Sequence, residues 1–434
     1  MSFKIDKQTL DDLTIFGNNR TKSAYDIFNR TRTRGGAKIL EEMFLYPLSD
    51  ADQINERSDV IRYYRDIEAE FPFRGEIFDT MEFYLGNTDR RTQLMTQDNT
   101  LGRKFKNLVG TDTEYTQIHN GIVCCIELLN TLDAFLKNSK ADAGNKTIAE
   151  LTASLRGLLG NEKWSWYVSE KGKKKLGYEQ AVVYDRVLRF EERDKLMKIL
   201  YYVYLLDVYM AVANVAKERG FVFAKAHPND KNTLVMKGVF HPFLTNPVGN
   251  TITVDENSNV IFLTGANMAG KSTFLRAIGV NLVLACCGAV VRAESFEFQP
   301  MALFTSMRTV DNLAKGTSYF HAELLRLQQL VNMAQHEERL FIILDEILKG
   351  TNSRDKLNGS RRFLQKLLTL PVAGLVATHD LELGELANTI PDNFFNRCFE
   401  ITHTDDDIAY DYKLKPGISQ NMNASILLEK MKLV

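Results

Sequence analysis

The chain has 434 residues, 44% hydrophobic and 25% charged, with 54 basic and 55 acidic side chains and a formal net charge of -1. That composition excludes wholesale disorder and collagen-like repeats, and the length suggests about three domain-sized units at ~150 residues each. With no global basic field, any nucleic-acid binding must use local patches, and no run of about 18 apolar residues marks a membrane span.

The N-terminus, MSFKIDKQTLDDLT, carries charges where a signal peptide needs an apolar core, so a cytoplasmic protein is expected. Cys124, Cys125, Cys286 and Cys287 stand in apolar runs and, with Cys398, read as reduced core residues rather than a disulfide framework or zinc site. Residues 1–226 read as helical. Apolar residues recur at three and four positions through Ala37–Tyr46, Ile118–Leu136 and Lys195–Ala216. Lys140–Lys146 suits an inter-helix loop, and Arg156–Gly177 looks loop-rich. The latter holds Lys171, Lys173, Lys174 and Lys175 near Trp164, Trp166 and Tyr167. Two readings stand: a grip on a phosphate backbone with base stacking, or a solvated basic loop beside a hydrophobic anchor.

Near His227 the texture changes. Residues 227–434 alternate short apolar runs (Thr233–Val239, Thr251–Val254, Val260–Thr264, Leu340–Leu344, Gly374–Thr378) with helical patterns (Phe274–Cys287, Ala322–Glu337). That predicts an α/β domain with a mostly parallel sheet buried on both faces. The stretch GANMAGKST, Gly265–Thr273, satisfies G-x-x-x-x-G-K-[ST] between a strand and a helix, the setting of a phosphate-binding loop. Gly265 and Gly270 let the backbone turn so that amides through Ala266, Asn267, Met268 and Ala269 converge, and the helix start at Lys271, Ser272 and Thr273 adds positive potential. Lys271 can reach the β- and γ-phosphates, and the Ser272 hydroxyl can hold Mg²⁺.

LFIILDEI, Leu340–Ile347, ends a strand in two acids: Asp345 is a candidate Mg²⁺ ligand and Glu346 a candidate general base. GLVATHD, Gly374–Asp380, delivers His379 to the same sheet edge, where it could sense the γ-phosphate.

Together these motifs resemble the MutS family of DNA mismatch repair ATPases. The family's TGxNMxGKST is matched by Thr264 through Thr273, including the Asn267-Met268 pair. DNLAKGTSYFHAEL, Asp311–Leu324, is similar to the family's signature segment through Gly316, Ser318, Phe320 and Glu323, with Tyr319 for Thr and Leu324 for Met. LDEILKGTNSRDK resembles LDEIxxGT, with Leu348 and Lys349 replacing residues more often Gly and Arg, and ATHD resembles ATHY. The closing stretch resembles Y-x-L-x-x-G. Ile5–Phe16 and Arg30–Ile61 resemble the start of the family's helical core through Gly35 or Gly36, Leu40, Pro47, Leu48, Ile54 and Arg57.

The resemblance implies an α+α/β protein. A helical core/lever domain with a short clamp-like insertion (1–226) precedes an ABC-type P-loop ATPase domain (227–434). It implies ATP with Mg²⁺, adenine packed near Val248 and Tyr412, and Ser318 acting in trans across a head-to-tail dimer. Glu346, His379 and Lys271 would serve catalysis. The implied role is ATP-dependent engagement of mismatched or branched DNA, as a homodimer or a heterodimer with a longer MutS relative, and without a membrane. The alternative is a nucleotide-gated protein scaffold with little DNA affinity. The wedge-bearing mismatch domain with its Phe-x-Glu element and the connector domain are expected to be missing, and the DNA clamp shortened to about Gly157–Arg189.

Overall fold

The computed structural model describes residues 5–17, 21–95, 113–138, 146–228, 234–254, 259–307, 319–336, 339–350, 352–389, 394–403 and 408–420. The Lys140–Lys146 loop and Ser318 fall largely or wholly outside the described residues. The architecture is mixed helix and sheet, and it divides into two compact units. One comprises residues 1–28, 41–58 and 214–434; the other comprises 29–40 and 59–213. A single cut at 226/227 does not describe this division. The early segments are tied to the sheet-bearing unit by bonds from both their backbone and their polar side chains. Leu48 N donates to Cys286 O at 2.9 Å, Arg57 donates to Cys287 O at 2.9 Å, and Asn55 exchanges two bonds with Ala226.

The strands described in the sheet-bearing unit are β1 (Val222–Phe223), β2 (Lys225–Ala226), β3 (Leu234–Val239), β4 (Asn250–Val254), β5 (Val260–Gly265), β6 (Val290–Val291), β7 (Ser295–Phe298), β8 (Ala302–Ser306), β9 (Leu340–Asp345), β10 (Val372–Ala377), β11 (Phe394–His403) and β12 (Ile408–Pro416). Six of them form a sheet in the order β12-β11-β5-β10-β9-β8. Every pairing in it is parallel except the β11–β12 hairpin. β5 is buried at all six positions, as a strand covered on both faces must be. On one face Phe262, Phe304, Ile342 and Leu344 pack with Leu327 and Leu330 of helix Tyr319–His336 and Leu364 of helix Ser353–Leu367. A smaller sheet, β2-β7-β3-β4, and the β1–β6 pair complete the unit.

The N-terminal helix Lys7–Asp12 begins at Asp6, whose carboxylate accepts Thr9 N at 3.1 Å. It then serves the open edge of the sheet. Thr9 Oγ1 accepts Thr305 N at 3.1 Å, and Asp12 Oδ2 accepts Thr305 Oγ1 at 2.8 Å and Met307 N at 2.9 Å. These are edge-strand groups that would otherwise lack a partner.

The second unit is helical as expected, with long helices Thr113–Asn138 and Lys146–Leu159 and the segments around them. Its glycines mark close approach. A Cβ on Gly35 would come within 2.3 Å of the Tyr204 ring, and one on Gly121 within 2.2 Å of Tyr84. Asp207 is buried and accepts the amides of Arg32 and Thr33 and the Thr33 hydroxyl, closing the start of helix Arg34–Leu45 from another helix. A fully buried pair, Asp185–Arg189, is bonded through two nitrogens at 2.8 and 2.7 Å and extended by the Tyr84 hydroxyl at 2.9 Å. Arg156–Gly177, read as loop-rich, is in part ordered helix: Lys146–Leu159 runs into it, and a 3₁₀ segment spans Glu162–Val168.

Helix Arg193–Arg219 is long and apolar enough to cross a membrane by length and composition, yet 72% of its most apolar window is buried inside the protein. That burial marks a core helix.

In the helical unit Glu192 bonds Lys195 at 2.6 Å, Lys163 at 2.9 Å and Asn161 at 3.0 Å. The bond from Lys195, then that from Lys163, holds its carboxyl down to about 2 from an ordinary 4.5. A depressed carboxyl favours the folded state above the unfolded value and loses that contribution as pH falls toward the folded one. Chemical denaturation between pH 4.5 and 2 should therefore show stability falling, and Glu192→Gln should flatten that part of the profile.

Candidate functional site

The register of the main sheet assembles the site. Ala377 on β10 pairs with Leu263 on β5 and with Asp345 on β9. The carboxyl ends of three parallel strands are thus level, and the segments leaving them open on one edge. The loop after β5 turns through Gly265 (φ +149°), Met268 (+66°) and Gly270 (+106°) before helix Lys271–Cys286 begins. A Cβ at Gly265 would meet Phe399 O at 2.7 Å, so glycine is required there by space as well as by torsion.

Lys271 is buried. Its Nζ donates to Gly265 O at 2.6 Å and Ala266 O at 3.0 Å. Burial pushes its pKa down, against the pull of Asp345 and Glu346. Ser272 Oγ donates to Asp345 Oδ2 at 2.7 Å, bringing a hydroxyl and a carboxylate together, the hard oxygen donors that suit Mg²⁺. Glu346 is mostly buried, with Lys349 Nζ at 3.6 Å on one oxygen and His379 Nε2 at 3.6 Å on the other. Burial, helped by Lys271, lowers the His379 pKa, which keeps the ring neutral near pH 7. Lys356 pairs with Asp380 at 3.0 Å beside it.

Beside the loop lies a cavity of about 370 Å³, bounded by Met268, Gly270, Thr273, Val248, Phe399 and Tyr412 among others. It brings together Val248 and Tyr412, which lie far apart in sequence. Tyr412 has a positive φ of 52°, and a Cβ on Gly270 would lie 3.2 Å from its ring. Its neighbour Tyr410 stacks on it at 5.9 Å. The size and the largely apolar lining suit a planar base next to a phosphate-sized loop. Ser318 lies outside the described residues, as does most of the segment around it.

Three contributors have roles that the motifs alone do not give, Glu323 among them although it matches the family's signature segment. Asn250, almost buried, donates to Tyr412 O at 2.9 Å and accepts Leu414 N at 2.7 Å, so it sets the strand that carries Tyr412. His241 lines the same cavity, and burial with Arg276 nearby pushes its pKa down to about 4. Glu323 reaches the turn after β9. A lone Asn or His at a strand end carries no periodicity and no motif, so no local signal could have singled it out.

The basic loop is also clarified. Trp164 is fully buried. Trp166 lies flat on Tyr184 at 3.5 Å and donates Nε1 to Lys163 O. Lys173 is paired with Glu170 at 3.0 Å. Trp164 and Tyr167 thus anchor the loop from the interior, and Trp166 has one face covered by Tyr184.

Replacing Asn250 with Ala leaves Tyr412 O and Leu414 N without their partner. It should destabilise the protein by about 1–3 kcal/mol, read as a lower midpoint in urea unfolding, with the wall of the cavity loosened.

Comparison with known sequences finds relatives for both parts of the chain. Profiles described as MutS domain III and MutS domain V match residues 8–213 and 261–430. The chain is 31% identical over 246 residues to MutS protein homolog 4 of Mus musculus, spanning 54% of this chain and 25% of that protein. It is 32% identical over 253 residues to DNA mismatch repair protein MutS of Persephonella marina, spanning 55% and 28%. With DNA mismatch repair protein MutS of Petrotoga mobilis the match is 22% over 515 residues, spanning 96% of this chain and 61% of that protein. The chain thus spans less than two thirds of the length of these relatives. Matched in both its helical and its sheet-bearing parts, the chain belongs to the MutS family.

Proposed function

We propose that this chain is an ABC-type ATPase that binds Mg·ATP at the loop 265–273 and couples hydrolysis to engagement of mismatched or branched DNA. The observation that carries the reading is the convergence of Lys271, Ser272, Asp345, Glu346 and His379 at the level carboxyl ends of β5, β9 and β10. In this reading the loop amides and Lys271 neutralise phosphate charge, and Lys271 moves from the loop carbonyls onto the β- and γ-phosphates. Ser272 and Asp345 hold Mg²⁺, which when bound offsets charge on the phosphate oxygens. Glu346 accepts a hydrogen bond from the attacking water and takes its proton. Neutral His379 donates an N–H toward the γ-phosphate. Val248 and Tyr412 enclose the base.

In the reading that the family resemblance implies, the functional unit is a head-to-tail dimer, either of two copies or with a longer MutS relative. Ser318 then completes the neighbouring site.

A second reading, a nucleotide-gated protein scaffold with little affinity for DNA, is favoured by the engaged state of Trp164 and Trp166. A mobility shift with mismatched and branched duplexes discriminates. Binding that weakens steeply as salt rises supports the first reading, and no shift at low salt supports the second.

Lys271→Ala should weaken Mg·ATP binding by roughly tenfold to a hundredfold, as expected for about 1.5–3 kcal/mol in a charged hydrogen bond; calorimetry reads this directly. Glu346→Gln should keep nucleotide binding while lowering turnover by about 10²–10⁴-fold. Unchanged steady-state turnover in that protein removes Glu346 from the role of base.

A further inference from the structure

The turn that follows β9 is unusual for its residue types. Glu346 and Leu348 adopt φ values of +59° and +57°. Side chains resist that region by roughly 1–2 kcal/mol per residue, so such a turn persists only where its surroundings hold it. Three ties do so. Glu346 N donates to Ala377 O at 2.8 Å. Leu348 is buried in the cluster with Ile347 and Leu327. The third tie comes from helix Tyr319–His336: Glu323, only 3% exposed, accepts Lys349 N at 3.1 Å and Gly350 N at 3.4 Å.

That helix and the turn are in close contact, since a Cβ on Gly350 would come within 2.9 Å of Phe320 Cβ. The helix is itself anchored. Arg326 donates to Thr305 O on the edge strand and to Asp6 at 2.9 Å, with its guanidinium 3.8 Å over the Phe304 ring. A carboxylate buried in this way must satisfy its oxygens within the protein, and the two turn amides are the acceptor's partners here.

We propose that Glu323 is a positioning residue for Glu346. Its carboxylate holds the amides of residues 349 and 350, fixes the left-handed turn, and thereby aims the Glu346 carboxylate at the site. It acts through the backbone and not on substrate. The inference rests on the reading of Glu346 as the base.

The test compares ATP turnover and the binding of a fluorescent ATP analogue in wild type, Glu346→Gln, Glu323→Ala and Glu323→Gln proteins. In Glu323→Ala, kcat should fall by about tenfold to a hundredfold through misplacement of the base. KM and analogue affinity should stay at wild-type values, because the loop 265–270 does not depend on Glu323. Glu323→Gln should recover only part of the loss, since its single amide oxygen can still accept one of the two turn amides. If the alanine protein does not fold, Glu323→Asp, which withdraws the carboxylate by one methylene, makes the same comparison. Wild-type kcat in these variants overturns the proposal, and so does a loss of analogue affinity in step with kcat, which would mark a general packing role. If wild type shows no turnover, or Glu346→Gln leaves it intact, the reading of Glu346 fails and the positioning role falls with it. A defect confined to Glu346→Gln overturns the positioning role alone.

Discussion

The register between β5, β10 and β9 is the constraint on which the candidate site depends. Hydrogen-bonded parallel strands share their direction, so side chains just past their carboxyl ends emerge together. With Ala377 level with both Leu263 and Asp345, residues more than a hundred positions apart meet within a few ångströms. A slip of one residue would turn alternate side chains to the opposite face and separate Ser272 from Asp345. The buried apolar runs of these strands are what make such a slip unfavourable, because each strand is packed on both faces.

The sheet in turn needs its edges closed. β8 lies at one edge, and the N-terminal helix supplies Thr9 and Asp12 to its amides while Arg326 takes its carbonyl. Leu13 approaches Gly279 so closely that a Cβ there would lie 2.5 Å away, so the same segment also packs on the helix that leaves the loop. At the other edge the β11–β12 hairpin adds the antiparallel strand that brings Tyr412 to the cavity, and Asn250 ties β4 to it. The site is therefore enclosed by segments from the beginning, middle and end of the chain.

In the helical unit, packing rather than chemistry explains the most prominent residues. Gly35 and Gly121 exist for the rings of Tyr204 and Tyr84, and Asp207 adds to a helix start where the Thr33 hydroxyl already accepts Gly36 N. The buried Asp185–Arg189 pair has its remaining donors taken up by Thr92 and the Asn87 carbonyl. Removing one partner of such a pair leaves an uncompensated charge. The two tryptophans likewise belong to the interior and its margin.

The strand–loop–helix around residue 270, the acids closing β9 and the His after β10 were legible from the chain alone, because each depends on local spacing and on apolar runs that only a buried strand requires. The helical texture of the first half was legible for the same reason. Other features were not. The C-terminal hairpin carries alternating charged and aromatic residues, so it lacked the apolar run that marked the inner strands. Residues 1–28 and 41–58 group with the sheet and make bonds to distant strands and to the end of the helix after the loop. The contributions of Asn250, His241 and Glu323 arise from contacts across long stretches of chain. Periodicity and motif report what a segment does with its own neighbours; which remote backbone a buried Asn or Glu satisfies is decided only when the strands have settled into register.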